Sequence, residues 1–138
     1  DLSPHALDYA KKNAQINGIS NVTFLQGDLF TPVTGRRFHC ITANPPYIKS
    51  GDISRLQVEI RCYEPLSALD GGLDGLDYYR KIVNSALDYL LPGGMLIMEL
   101  GAGQADEVTA LARQCGFKNS ECMTDYAGIP RIFCGQSS

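Results

Sequence analysis

The chain has 138 residues, 44% hydrophobic and 20% charged, a size and balance that suit one domain with a buried core better than two. Its formal net charge is -3 with no Lys/Arg run longer than a pair, so it lacks the basic footprint of a dedicated nucleic-acid binder. No apolar run approaches the ~20 residues of a bilayer span, and the first residues lack the basic, apolar, small-residue order of a secretion signal, which reads as a cytoplasmic protein. Five cysteines, an odd number with no CxxC pair, suggest neither a zinc site nor a disulfide framework.

Ser3-Pro4 is a helix-start signal, because the serine oxygen can cap free N–H groups and proline tolerates the first turn. A helix is predicted from there to about residue 17, with Leu7, Ala10 and Ala14 on one face and Gly18 as its left-handed stop. Residues 22–25 are short, apolar and partly β-branched, and predict a buried strand that ends at the Gly27-Asp28 turn. A second strand is predicted over residues 38–43, broken by Asn44-Pro45-Pro46-Tyr47, since two successive prolines cannot continue a ladder. Residues 48–75 are irregular and rich in Asp, Gly and Pro, and read as a long ordered loop with one helical turn near residues 56–60.

Tyr79, Ile82, Val83, Ala86, Leu87 and Leu90 recur at three-and-four spacing, an amphipathic helix ended by Pro92-Gly93-Gly94. Residues 95–100 form a nearly all-apolar strand. Val108, Leu111, Ala112 and Cys115 face one side of a further helix stopped by Gly116, and residues 119–124 and 131–134 predict an antiparallel hairpin. This alternation predicts an α/β fold, a mostly parallel sheet covered on both faces with an antiparallel C-terminal edge. A doubly wound sheet opens with a strand and a glycine-rich turn, whereas this chain opens at Asp1 just ahead of a helix. The expectation is that one strand pair and the cofactor loop lie upstream.

Asn44-Pro45-Pro46-Tyr47 is the string most suited to chemistry. The Asn44 side-chain oxygen and the Pro45 carbonyl can accept both N–H bonds of a planar amide or amine, which orients its lone pair and favours the charge that builds during attack. Pro45 and Pro46 stiffen the acceptors, and the Tyr47 ring can pack on a flat substrate group. The bland alternative is a rigid turn; position at a strand's carboxyl end, where α/β sheets bind ligands, favours function. Asp1 and Asp28 fit a cofactor's ribose hydroxyls and adenine amine, with Leu29 or Phe30 against the ring, although each could equally be a helix-cap or turn aspartate. Glu99, inside an apolar strand, needs a partner or an open cleft. The Asp70–Asp77 stretch resembles a calcium loop in composition only, lacking the twelfth-position glutamate.

These motifs resemble the HemK/PrmC family of protein-(glutamine-N5) methyltransferases. The resemblance covers the whole chain: Asp1-Leu2-Ser3-Pro4, Gly27-Asp28-Leu29-Phe30, Asn44-Pro45-Pro46-Tyr47-Ile48, Glu64-Pro65 with Ala68-Leu69-Asp70-Gly71-Gly72, Asp74-Gly75-Leu76-Asp77, Pro92-Gly93-Gly94, Glu99-Leu100-Gly101 and Asp125-Tyr126-Ala127-Gly128. It implies a class I, Rossmann-like methyltransferase fold, this chain being the C-terminal portion of one catalytic domain. It implies S-adenosylmethionine as donor, with S-adenosylhomocysteine as product. Asp1, Asp28, Leu29 and Asn44 would contact the cofactor; Asn44, Pro45, Pro46 and Tyr47 would form the acceptor clamp, and Glu64 would contact substrate. The implied substrate is the glutamine of the Gly-Gly-Gln loop of peptide-chain release factors. Asn-Pro-Pro-Tyr alone is shared with adenine-N6 DNA and RNA methyltransferases, the alternative reading. His39 stands where the family usually has Asp, and without the upstream loop the isolated chain is expected to bind donor poorly.

Overall fold

A computed structural model describes residues 1–138, which divide into two compact units, Asp1–Arg36 and Arg37–Ser138. No helix is long and apolar enough to cross a membrane.

The first unit holds helix α1 (Pro4–Ile16). Its start is as predicted, with the Ala6 N–H donating to Ser3 Oγ at 3.2 Å and Pro4 in the first turn. Leu7 is its one buried residue. Residues 22–25 do not form the predicted strand. Apolar, β-branched sequence makes a strand only when a neighbour takes up its N–H and C=O groups. Here the Asp1 nitrogen donates to the Leu25 carbonyl at 3.0 Å and the Gly27 N–H to the Asp1 carbonyl at 3.1 Å, the pattern of one parallel bridge and no more.

The second unit is built on a four-stranded sheet of β1 (Phe38–Ala43), β2 (Leu90–Glu99), β3 (Lys118–Thr124) and β4 (Pro130–Gln136), in the order β1-β2-β4-β3. β1 and β2 are parallel, and β4 runs antiparallel to both β2 and β3. The antiparallel strand β4 is therefore interior, and β1 and β3 are the two edges. Composition explains the choice: Phe133, Cys134 and Gly135 of β4 are buried, while most of β3, with Lys118, Asn119 and Glu121, is exposed, as suits an edge.

α2 (Val58–Tyr63) and α3 (Leu66–Leu69) join a 3₁₀ turn at Ser50–Arg55, so the predicted loop is three short helical pieces. Each is too short to show a 3.6-residue stripe, and none buries a residue, which is why periodicity missed them. α4 (Asp77–Tyr89) buries Tyr79, Ile82, Val83 and Ala86, the predicted face. α5 (Ala105–Cys115) buries Val108 and Ala112 and ends on Gly116 in the left-handed region. Leu96, Met98, Leu100 and Phe133 are wholly buried. At about 1.5–3 kcal/mol for each large apolar side chain, this layer is the unit's main source of stability.

β2 starts five residues earlier than predicted. Phe38 pairs with Leu90 and Cys40 with Met95, so the four residues from Leu91 to Gly94 stand opposite His39 alone. Pro92-Gly93-Gly94 thus bulges a strand instead of preceding it. The bulge's carbonyls are satisfied by the last residues: Ser137 donates its N–H to Gly94 at 2.8 Å and its hydroxyl to Leu91 at 2.6 Å.

Candidate functional site

β1 ends at Ala43, which pairs with Met98 of the buried strand β2. The next four residues leave the sheet at its carboxyl edge. Asn44 is exposed, Pro45 is buried, and Pro46 and Tyr47 are half-buried, so the prolines root a turn whose asparagine stands in the open. Two cavities meet at Asn44. One, of about 300 Å³, is lined by Asn44, Glu99, Ile97 and Ile132; the other, of about 260 Å³, by Asn44, Pro45, Tyr47, Ala68 and Leu69.

Tyr47 is held at both ends. Its hydroxyl donates to Glu99 Oε1 at 3.0 Å, which answers the question that a carboxylate in an apolar strand poses. Burial, and next the bond to Glu99, push the Tyr47 hydroxyl above the usual tyrosine range, against the opposing charge of Arg131. It is therefore a donor throughout neutral pH. The Tyr47 carbonyl accepts from Gln104 Nε2 at 3.0 Å. After it, Ile48 forms a parallel bridge with Asp70: the Ile48 N–H donates to the Leu69 carbonyl at 3.0 Å and Gly71 N–H to the Ile48 carbonyl at 2.8 Å. Main chain packs so closely that a side chain at Gly75, with φ +77, would overlap the Tyr47 carbonyl, and one at Gly101 would crowd the Tyr47 ring.

Beneath the turn, the Tyr79 hydroxyl donates to the Glu99 carbonyl at 2.9 Å and accepts from the Gly101 N–H at 3.2 Å. Desolvation is the main cause that pushes Tyr79 up to about 12. Periodicity had marked Tyr79 as part of an apolar face; its hydroxyl also fixes the backbone on which Glu99 sits.

The acids of the Asp70–Asp77 stretch are consumed locally. Asp70 accepts from the Ser50 hydroxyl at 2.7 Å and the Gly72 N–H at 2.9 Å, and Asp74 and Asp77 both pair with Arg80. The hydrogen bond from Arg80 is the largest cause that lowers Asp74 to about 2.

Of the other candidates, Glu64 is exposed at the end of α2 and lines neither cavity, although Ala68 and Leu69 just beyond it do. Asp1, Asp28 and Leu29 belong to the first unit. The Gly27 N–H bonded to the Asp1 carbonyl brings Asp1 and Asp28 to one end of that unit. Asp1 Oδ1 accepts the Ser3 N–H at 2.8 Å, a turn role that leaves its second oxygen free, and the Asp28 carboxylate is exposed beside Leu29, whose φ is +44. Gln104 was missed. Its one signal was a glutamine at a helix start, where a short capping side chain is usual.

No family model matches the chain. It is 50% identical over 138 residues to the release factor glutamine methyltransferase of Thermodesulfovibrio yellowstonii, covering 100% of this chain and 50% of that protein. It is 47% identical over 136 residues to the protein of the same name from Geobacter sulfurreducens, covering 99% of this chain and 48% of that one. The chain thus spans about half the length of the curated relatives it matches. Among solved structures, a methyltransferase from Pyrococcus furiosus superposes with a TM-score of 0.72 at 17% identity, covering 100% of this chain and 60% of that one. That likeness bears on fold alone, and the α/β architecture with its mixed sheet is consistent with the Rossmann-like fold of class I methyltransferases.

Proposed function

We propose that this chain, homologous along its whole length to the release factor glutamine methyltransferases, carries the acceptor-binding part of an enzyme that methylates the side-chain nitrogen of a glutamine in peptide-chain release factors. It would be the C-terminal portion of one catalytic domain, working in the cytoplasm. The observation that carries the reading is the exposed Asn44 standing where two cavities meet, on a turn rooted by buried Pro45.

In this reading the Asn44 side-chain oxygen and the Pro45 carbonyl accept the two hydrogens of the glutamine carboxamide. An amide nitrogen is a poor nucleophile because its lone pair is delocalised; holding both hydrogens turns that lone pair in one direction and favours the positive charge that grows on nitrogen. The Tyr47 ring, tethered to Glu99, supplies a face for the flat group and for that charge, an attraction of about 0.5–2 kcal/mol. Pro46 keeps the turn stiff.

S-adenosylmethionine, when bound, supplies the electrophilic methyl carbon. The residues present suit it: Asp28 and the free oxygen of Asp1 are exposed acceptors at one end of the first unit, fit for ribose hydroxyls and an exocyclic amine, with Leu29 as an apolar surface beside them. The chain's own part would be to hold the carboxamide nitrogen by its hydrogens and to leave the proton it gives up on methylation open to solvent, S-adenosylhomocysteine being the other product.

The test uses the full-length protein with labelled donor and a release factor. Asn44→Ala is expected to lower turnover on the order of 100-fold with an unchanged circular dichroism spectrum. Labelling unaffected by the change would refute the clamp, and methyl incorporated into DNA or RNA with none in the release factor would select the nucleic-acid alternative.

A further inference from the structure

Gln104 immediately precedes α5, yet its side chain makes no capping bond to that helix. Residues that cap a helix start are short and reach back to its free N–H groups; a glutamine there is unusual. The Gln104 side chain reaches away instead. Its Nε2 donates to the Tyr47 carbonyl at 3.0 Å and to the Gly75 carbonyl at 3.2 Å, joining segments 57 and 29 residues away in sequence. Both partners are acceptors, so only the NH₂ end can face them and the orientation of the carboxamide is settled.

The opposite end of the group is informative. Gln104 is 8% exposed, and its Oε1 is buried with no hydrogen-bond partner, in the space that a side chain at Gly101 would take. A buried amide oxygen left unpaired works against stability. The position keeps a carboxamide despite that cost, and what the carboxamide delivers is two N–H bonds, one of them to the turn that presents Asn44.

We infer that Gln104 is a positioning residue for acceptor methylation: its NH₂ group ties the Tyr47 carbonyl to the Gly75 carbonyl and so sets where Asn44 and Pro45 hold their acceptors. This deepens the proposed function and rests on it. Glu99 fixes the ring of Tyr47; Gln104 fixes its peptide, which is the half continuous with the acceptors. The residues around it are shaped to admit this bridge, since a side chain on Gly75 or Gly101 would occupy the space of the Gln104 carboxamide.

The full-length protein with Gln104→Leu, and separately Gln104→Glu, tests the inference by transfer kinetics, S-adenosylhomocysteine titration and amide hydrogen exchange. Because a misplacement of about 1 Å can cost on the order of 100-fold, Gln104→Leu is expected to lower kcat by about 10- to 100-fold with product affinity within about twofold of wild type. The Ile48 amide exchanges faster in the variant. Gln104→Glu, isosteric but without a donor when ionised, loses turnover at neutral pH and regains it as pH falls and the carboxyl takes up a proton, a limb that wild type lacks. Should the leucine variant fail to fold, the glutamate variant carries the test. Unchanged kcat/KM and unchanged exchange would overturn the inference, as would a drop in melting temperature with full turnover. If wild type does not methylate release factor, the functional reading fails on its own, and exchange at Ile48 still decides the role of Gln104.

Discussion

Tyr47 and Glu99 share the bond on which the ring's orientation depends, and their chemistry makes an ordered prediction. A glutamine at 99 keeps an oxygen that can accept the Tyr47 hydroxyl, whereas alanine removes it. Under the proposed function, Glu99→Gln in the full-length protein should therefore keep most of the transfer rate, and Glu99→Ala should lose on the order of 10-fold through a freer ring. Equal rates for the two variants would show that the bond does nothing for turnover. The raised Tyr47 ionisation sets the sign of any pH effect: the neutral hydroxyl is favoured in the fold, so its contribution is complete below the ordinary value near 10 and disappears only as pH rises through the higher folded value. Neutral pH leaves the tether intact. Glu99 was legible as an anomaly in sequence, a charge inside an apolar strand, but its partner lies 52 residues away and only folding names it.

At the scale of elements, the turn into α4 is fastened by Arg80, which pairs with Asp74 and Asp77. Asp74 lies near 2, below its ordinary 3.8, so what this pair adds to stability is present above the ordinary value and is lost as pH falls through about 2. Arg80→Ala should return the Asp74 midpoint toward 3.8, as read by carboxyl carbon resonances across an acid titration; an unmoved midpoint would assign the shift to the Leu76 N–H instead. These acids show why a calcium-like composition misleads: composition counts carboxylates, while the fold spends them on Ser50, Gly72 and Arg80. α1, α4 and α5 were readable because a 3.6-residue stripe is a local property. The strand expected at residues 22–25 was not, because a ladder needs two chains and sequence shows one. The helical pieces between residues 50 and 69 were invisible for a third reason, being shorter than the window that periodicity requires.

At the scale of the whole molecule, burial is uneven. Leu7 is the one buried residue of Asp1–Arg36, a length below the roughly 40 residues at which a unit ordinarily folds alone, whereas the second unit buries an entire layer beneath its sheet. Amide exchange of the 138-residue chain should be fast throughout the first unit and slowest at Leu96, Met98 and Phe133, reporting local opening against global unfolding. Uniform protection across both units would contradict this. Asp1 and Asp28 belong to the less buried unit, and the turn bearing Asn44 to the better buried one.

Sequence by itself determined the class of fold, the amphipathic faces, the hairpin near the C-terminus, and the stiff turn bearing Asn44, because each depends on the spacing or covalent stiffness of neighbouring residues. Tertiary structure alone decided that β4 lies inside the sheet and that Tyr47 is held by Glu99 and Gln104. Those outcomes are hydrogen bonds and buried surfaces between segments far apart in the chain, whose pairing is settled by what each can satisfy in three dimensions and leaves no local periodicity to read.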